Sequence, residues 1–156
     1  PENIQVRLEK FDSKEKFKSN LFNIASLHWS VPVSSGYGRR IRYLVWDNNN
    51  NKLIGIIAIG DPVFNLKVRD SHLDWDTKER EKNLTHCMDA YVLGAIPPYN
   101  KLLSGKLLAC ILKSREVYND FYSKYHNVKS IIEQKKKKIT FTYYNNHIIN
   151  GQILCL

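Results

Sequence analysis

Cysteine is scarce, and its spacing excludes more than its number does. Cys87, Cys110 and Cys155 form no CxxC pair and are odd in number, which argues against a disulfide framework or a zinc ribbon. Cys87 and Cys110 fall among apolar neighbours on predicted helices, as small buried hydrophobes in a reducing cytosol. Long apolar runs are also missing, so no segment reaches the length needed to span a bilayer and no membrane partner is expected. The opening PENIQVRLEKFDSKEKF is charged and lacks the apolar stretch of a signal peptide, which points to the cytoplasm. A chain that opens on Pro without Met reads as an excerpt. Acidic residues are in deficit: 15 Asp and Glu stand against 24 Lys and Arg, a formal charge of +9. Such a balance favours anionic partners, among them nucleic acid, an acidic protein or a phosphate-bearing cofactor. Four of those charges form the run Lys135, Lys136, Lys137 and Lys138, which with Arg39 and Arg40 is expected to attract and contact nucleic acid but leaves the rest of the chain only mildly basic.

What is present suffices for one folded domain. Of 156 residues, 43% are hydrophobic, enough for a real core. Ile4–Leu8 alternates like a short strand, and Ser13–Leu27 reads as a helix with Asp12 or Ser13 as N-cap and Phe17, Leu21 and Ile24 on one face. Residues 27–40 form a Pro-, Ser- and Gly-containing loop. Two strands, Arg40–Trp46 and Lys52–Ile59, flank the turn Asp47–Asn51, where Asn tolerates the left-handed backbone of a tight hairpin. The second is apolar on both faces and hence central. A loop is expected over Asp61–Trp75, then a helix to about Cys87 opened by the capping-box pattern Asp76-Thr-Lys-Glu79. Ala90–Ile96 is a further apolar strand, stopped by Pro97-Pro98. A helix then runs from Asn100 to about Tyr125, with a break near Ser114. The fold class is α/β: a central mixed sheet with a β-hairpin and flanking helices, over residues 1–130. Residues 131–156 read as a basic, poorly patterned tail in which only Ile139–Tyr144 suggests a strand. A long adenine tract encoding the lysines would be prone to slippage, so a frameshifted tail is expected after Lys138.

Three segments carry candidate chemistry. GDPVFNLKVRDSHLDWD holds Asp61, Arg69, Asp70, His72, Asp74, Trp75 and Asp76 where an apolar strand surfaces. Guanidinium and carboxylate match as bidentate partners, and His72 beside carboxylates suits a general base. The bland alternative is that Arg69 and Asp70 lock the loop. A metal is not expected, since one histidine with scattered acids lacks ligand spacing. GAIPPYNKLLSGKLLA sets Tyr99, Asn100, Ser104, Gly105 and Lys106 at a strand-to-helix junction, where free amides and a lysine suit a phosphate. The spacing matches neither a Walker A loop nor GxGxxG, and Gly105 has a plainer reading as a point of close helix-to-sheet packing. The loop at 27–40 offers His28, Trp29, Tyr37, Arg39 and Arg40. These suit base stacking and phosphate contact, with Trp29 as a core plug the competing reading. The strands ending at Gly60 and Ile96 are expected to open on one common surface. No serine, cysteine or carboxylate pair stands out as a committed nucleophile or acid–base dyad.

A run of segments, in order and without large gaps, resembles the DruA family of Druantia anti-phage defence systems, long described as a domain of unknown function. They are WSVP (29–32), GRRIRYLVWD (38–47), LIGIIAIGDPVFNLKVRDSHLDWD (53–76), NLTHCMDAYVLGAIPPYN (83–100), LLSGKLLACIL (102–112) and SREVYNDFYSKY (114–125). The family continues past the lysine run with a Thr-rich strand and a Gly/Ser-rich segment, neither found here. The resemblance implies a part in defence against phage, or in mobile elements, with nucleic acid or other defence-system proteins as partners. It does not assign a reaction. The order of elements is also similar to the acyl-CoA N-acyltransferase fold, where coenzyme A pyrophosphate rests on helix-start amides. That analogy makes an acyltransferase, with His72 or Asp70 as base and residues 100–106 holding coenzyme A, the alternative to a nucleic-acid-binding module. A non-catalytic scaffold is a third reading.

Overall fold

A computed structural model describes residues 4–30, 32–36, 38–102, 104–126, 148–149 and 152–153. The turn at the Asn run organises its centre. Strand β2 (Arg40–Asp47) and β3 (Lys52–Gly60) pair antiparallel around it. Asn51 takes φ 54°, the left-handed conformation that Asn tolerates. Asp47 Oδ1 accepts the Asn49 amide at 3.1 Å, and Asn50 Oδ1 accepts the Lys52 amide at 3.0 Å. Asp47 is itself buried, and its Oδ2 accepts the Tyr99 hydroxyl at 2.9 Å. The turn is therefore pinned from outside the hairpin as well as within it.

Two more strands complete the sheet, β1 (Val6–Phe11) beside β2 and β4 (Asp89–Ala95) beside β3, in the order β1-β2-β3-β4. The expected α/β class holds, with every pairing in this sheet antiparallel rather than mixed. β3 is central, as its two-sided apolar pattern requires: Ile54, Ile56, Ile57, Ala58 and Ile59 are all fully buried. The first strand sits a few residues later than Ile4–Leu8, because its pairing with β2 runs from Val6 opposite Asp47 to Phe11 opposite Arg42.

Helices cover both faces. α1 (Lys16–Ser26) packs Phe22 and Ala25 on Phe11, Leu44, Ile56, Ala58 and Val92. The capping expectation fails here: Glu15 occupies the cap position without a side-chain cap, three residues past Asp12. The expected apolar face also fails, since Phe17 is 78% and Ile24 62% exposed. The helix is rotated so that Phe22 meets the Phe11 ring at 5.7 Å and lies under the Arg42 guanidinium at 5.6 Å. Aromatic and cation–π partners on the sheet outcompeted the Phe17 stripe.

The loop expected over residues 61–75 contains a short helix, α2 (Lys67–His72). α3 (Thr77–Leu84) begins where predicted, with the complete capping box: Asp76 accepts the Glu79 amide and Glu79 accepts the Asp76 amide. The long helix after Asn100 is three pieces. A 3-10 turn at Tyr99–Lys101 is followed by α4 (Ser104–Leu112) and α5 (Arg115–Tyr125). Ser114 marks the break, its hydroxyl accepting the Val117 amide at 3.4 Å. Leu108 and Leu112 of α4, with Val117, Phe121 and Tyr125 of α5, fill the face of the sheet opposite α1. Gly55 leaves room for α4: a Cβ there would meet Leu108 Cδ1 at 2.6 Å and the β4 backbone. Gly105, expected to provide close packing, faces open space. Cys87 is buried as expected, whereas Cys110 is exposed on α4. A two-stranded ribbon, β5 (Ile148–Ile149) with β6 (Gln152–Ile153), pairs separately from the main sheet, with β6 lying near β4. Ile139–Tyr144, Cys155 and Lys135–Lys138 lie outside the described residues.

Candidate functional site at the strand ends

β3 ends at Gly60 directly opposite Asp89, the first residue of β4, and opposite Arg40, the first residue of β2. Polar residues flanking these three positions meet at one edge. Asp61 and Arg39 close the β2–β3 pair. Asp61 Oδ2 accepts the Arg39 amide at 2.9 Å, and Oδ1 accepts Arg39 Nε at 2.6 Å. The same guanidinium donates through Nη1 to the Thr85 carbonyl at 2.9 Å and lies 5.2 Å above the Phe121 ring. Gly38, at φ 50°, brings its backbone so close that a Cβ would collide with the Asp61 carboxylate.

Arg69 forms the second closure and is the largest fully buried side chain among the described residues, 1% exposed. Its Nε and Nη2 both donate to Asp70 Oδ1, at 2.8 and 2.6 Å. The remaining donors reach the carbonyls of Val63 at 2.6 Å and Phe64 at 2.9 Å. Arg80 of α3 completes the knot, donating to Asp70 Oδ2 at 3.1 Å while its guanidinium lies 4.9 Å from the Phe64 ring. Burial alone would raise the Asp70 pKa, but hydrogen bonds from Arg69 and then Arg80 outweigh it and hold the carboxyl below its ordinary value. A carboxylate so held is a weaker proton acceptor than a free one, and both its oxygens are engaged by guanidinium groups. An open cleft of about 620 Å³ runs beside the knot, lined by Lys67, Asp70, Ser71, Trp75 and Arg80 among others.

Asp89 behaves oppositely. Burial raises its pKa against the Ala90 amide and the field of Arg69, and its Oδ1 has no hydrogen-bond partner. A raised carboxyl pKa means that folding takes up a proton, so the favourable contribution present at low pH is lost as pH rises through the folded value. Asp89→Asn should therefore be more stable than the parent at pH 7 and indistinguishable from it near pH 3. Urea midpoints at the two pH values check this, and an equal shift at both would refute it.

The sequence-selected residues separate into two groups. Asp61, Arg69, Asp70 and Arg39 gather at the Gly60 end, with exposed His72 closing α2 nearby in sequence. Tyr99, Asn100, Ser104, Gly105 and Lys106 do not join them. β4 runs antiparallel to β3, so Ala95 pairs with Gly55 and the Ile96 amide donates to Ile54. The two segments thus leave opposite ends of the sheet, about 17 Å apart at the usual strand rise. The expected common surface is corrected by that direction. Tyr99 is buried, its hydroxyl bonded to Asp47 and receiving Asn50 Nδ2 at 2.8 Å. Asn100, Gly105 and Lys106 are exposed, and Ser104 opens α4.

In the 27–40 loop, Trp29 is half-buried against Gly94, where a Cβ would collide with the indole. Arg39 is turned inward as described, and exposed Arg40 donates to the Ser35 carbonyl at 3.0 Å. Tyr37 lies outside the described residues. Among the described residues no group of three or more His, Cys, Asp or Glu is placed to hold a metal. Sequence reasoning missed Arg80 and Asp89. The first lies one turn into a capped helix, a sign only in retrospect; the second was legible as an acid opening an apolar strand.

Fold and site together define an antiparallel α/β domain whose strand ends are closed by two arginine–carboxylate clamps. The family model for Druantia protein DruA matches residues 1–154, through the segment set apart as a tail. A relative, Druantia protein DruA of Escherichia coli (strain UMEA 4076-1), is 58% identical over 138 residues, which cover 88% of this chain and 34% of the relative. The chain belongs to the DruA family. It spans about a third of that relative's length. No solved structure matches it, and no described helix is long and apolar enough to cross a membrane.

Proposed function

We propose that the chain serves Druantia anti-phage defence as a nucleic-acid-binding module, in the cytoplasm and alongside other proteins of the system. One observation carries the choice of binding over catalysis: the strand-end carboxylates Asp61 and Asp70 are closed by Arg39, Arg69 and Arg80. Groups so paired serve as architecture. The excess positive charge of the chain, +9 overall, is then what remains to meet a partner, and phosphate is its natural complement. The acyltransferase alternative draws no comparable support. α4 follows an edge strand, and the residues offered for pyrophosphate stand at the other end of the sheet from Asp70 and His72.

Filter binding of the full chain to labelled DNA and RNA across a salt series tests the reading. If about four phosphates are neutralised, affinity should fall roughly a hundredfold between about 50 and 200 mM salt. Salt-independent binding, or none to any nucleic acid at low salt, would refute it.

A further inference from the structure

α1 holds the sheet with one side and leaves an apolar row bare on another. Phe22 and Ala25 pack on the sheet. Phe17, Leu21 and Ile24, spaced four and then three residues apart, line a different side of the helix, and Leu27 follows at its C-cap. Phe17 is 78%, Ile24 62% and Leu27 80% exposed, the three highest values of any large apolar side chain among the described residues. That all three fall on one short helix makes them a patch rather than scattered surface residues. Leu21 is half-buried, on the margin toward the core. Lys14 and Lys16 stand exposed at the start of the row, and neither makes an ion pair with a described residue. The acids nearby are already engaged: Glu9 and Glu15 hold Lys18, and Asp12 holds Lys124. Exposed Asn20 and Asn23 of the same helix add no charge. The surplus charge beside the row is therefore positive.

We propose that this row is a docking site for an acidic amphipathic helix of a partner protein. The proposal rests on the part of the reading above that sets the chain alongside other proteins, and nucleic acid does not enter it. The backbone groups of α1 are spent within the helix, so a partner cannot add a strand there and must pack side chains instead. From Phe17 to Leu27 the row is about 15 Å long, which three turns of a facing helix match with anchors at i, i+3 or i+4, and i+7. Acids on the flank of that helix would complete Lys14 and Lys16, the two cations that this chain leaves without a counter-charge. A second copy of the chain would bring the same lysines and a further charge of +9, so it fits the row less well. A lipid surface calls for a broad apolar face, and Phe22 and Ala25 keep the rest of α1 on the sheet. A row of this size suits a transient contact rather than a permanent one.

The test is fluorescence anisotropy of the full chain with a labelled synthetic helix of about five turns, Leu and Ile along one face and Glu elsewhere. A second peptide keeps the apolar face and carries Lys in place of Glu. The acidic peptide should bind and the basic one should not. Phe17→Ser should weaken acidic-peptide binding about tenfold, as loss of an aromatic anchor does. Lys16→Glu should weaken it about threefold, the scale of an exposed charge pair. Val68→Ser, which removes an exposed apolar side chain on α2, should bind as the parent does. Circular dichroism should be unchanged in all three variants, because each side chain is exposed. No binding of the acidic peptide, equal binding of the basic one, or an equal loss in Val68→Ser would overturn the proposal. So would a Phe17-dependent dimer in sedimentation, which would make the occupant a second copy. Phe17-dependent binding to phosphatidylserine–phosphatidylcholine vesicles would overturn it in favour of a lipid surface. Phe17→Ser should leave salt-dependent nucleic-acid binding as in the parent, so either reading can fail while the other stands.

Discussion

Asp70→Ala should lower stability by about 3–5 kcal/mol, the range found when one partner of a buried ion pair is removed. The reason is Arg69, which is 1% exposed and would keep its charge with the neutral Val63 and Phe64 carbonyls as its hydrogen-bond partners. Arg80 would lose its carboxylate as well. Replacing both members of the central pair, as Arg69→Met with Asp70→Leu, should recover part of the loss, because the fully buried Arg69 charge is gone and only half-buried Arg80 is left without its carboxylate. Urea denaturation of the two variants separates these outcomes. An Asp70→Ala cost under about 1 kcal/mol would mean that the knot behaves as a surface pair. The same carboxyl gives a pH signature. Its folded pKa is depressed, so its contribution is complete above the ordinary carboxylate value and disappears as pH falls through the folded one. Acid titration of stability should show that loss in the parent and not in the double variant.

Phe121→Ala is expected to cost a similar amount, about 3–5 kcal/mol, as a fully buried aromatic ring leaves a cavity. It also has a consequence beyond volume. Phe121 packs at 5.4 Å from the Tyr125 ring and lies beneath the Arg39 guanidinium that closes the β2–β3 pair. Tyr125 in turn ties α5 to β2, its hydroxyl accepting the Arg40 amide and donating to the Arg40 carbonyl, both at 2.8 Å. Removing the ring should therefore loosen the strand end together with α5. Hydrogen exchange should show faster exchange at Arg39 and Arg40 than in Phe121→Leu, which keeps most of the apolar contact. Loss confined to α5 would show that Arg39 does not lean on the ring.

Much of this framework was legible where one local rule acted alone. The Asn turn, the Asp76–Glu79 box and the Ser114 break each depend on a few adjacent residues, and each lies where the sequence put it. What stayed hidden depends on distant partners. Phe17, Leu21 and Ile24 form as good a helical stripe as Leu21, Phe22 and Ala25, and only Phe11 and Arg42 on the sheet decide between them. The direction of β4 was likewise open, because residues 61–88 are long enough for a parallel crossover or an antiparallel return. The expectation that both strands open on one surface joins two polar regions that the sheet holds apart. The pairing of Arg69 with Asp70 was visible as chemistry, but Arg80 reached it only through the turn between α2 and α3.

The hairpin at the Asn run also sets an order of assembly. β2 and β3 are joined by four residues, whereas β1–β2 and β3–β4 each close a connection of twenty-eight. Loop-closure entropy makes the longer closures dearer by about 1.7 kcal/mol apiece, so the hairpin is the natural nucleus and the outer strands join it later. Residues 61–88, which hold both halves of the Arg69–Asp70–Arg80 knot, are among the last to be placed. The knot thus acts as a latch on late-arriving chain. When it is weakened, that segment should open first, while the strands on either side of the Asn turn stay paired.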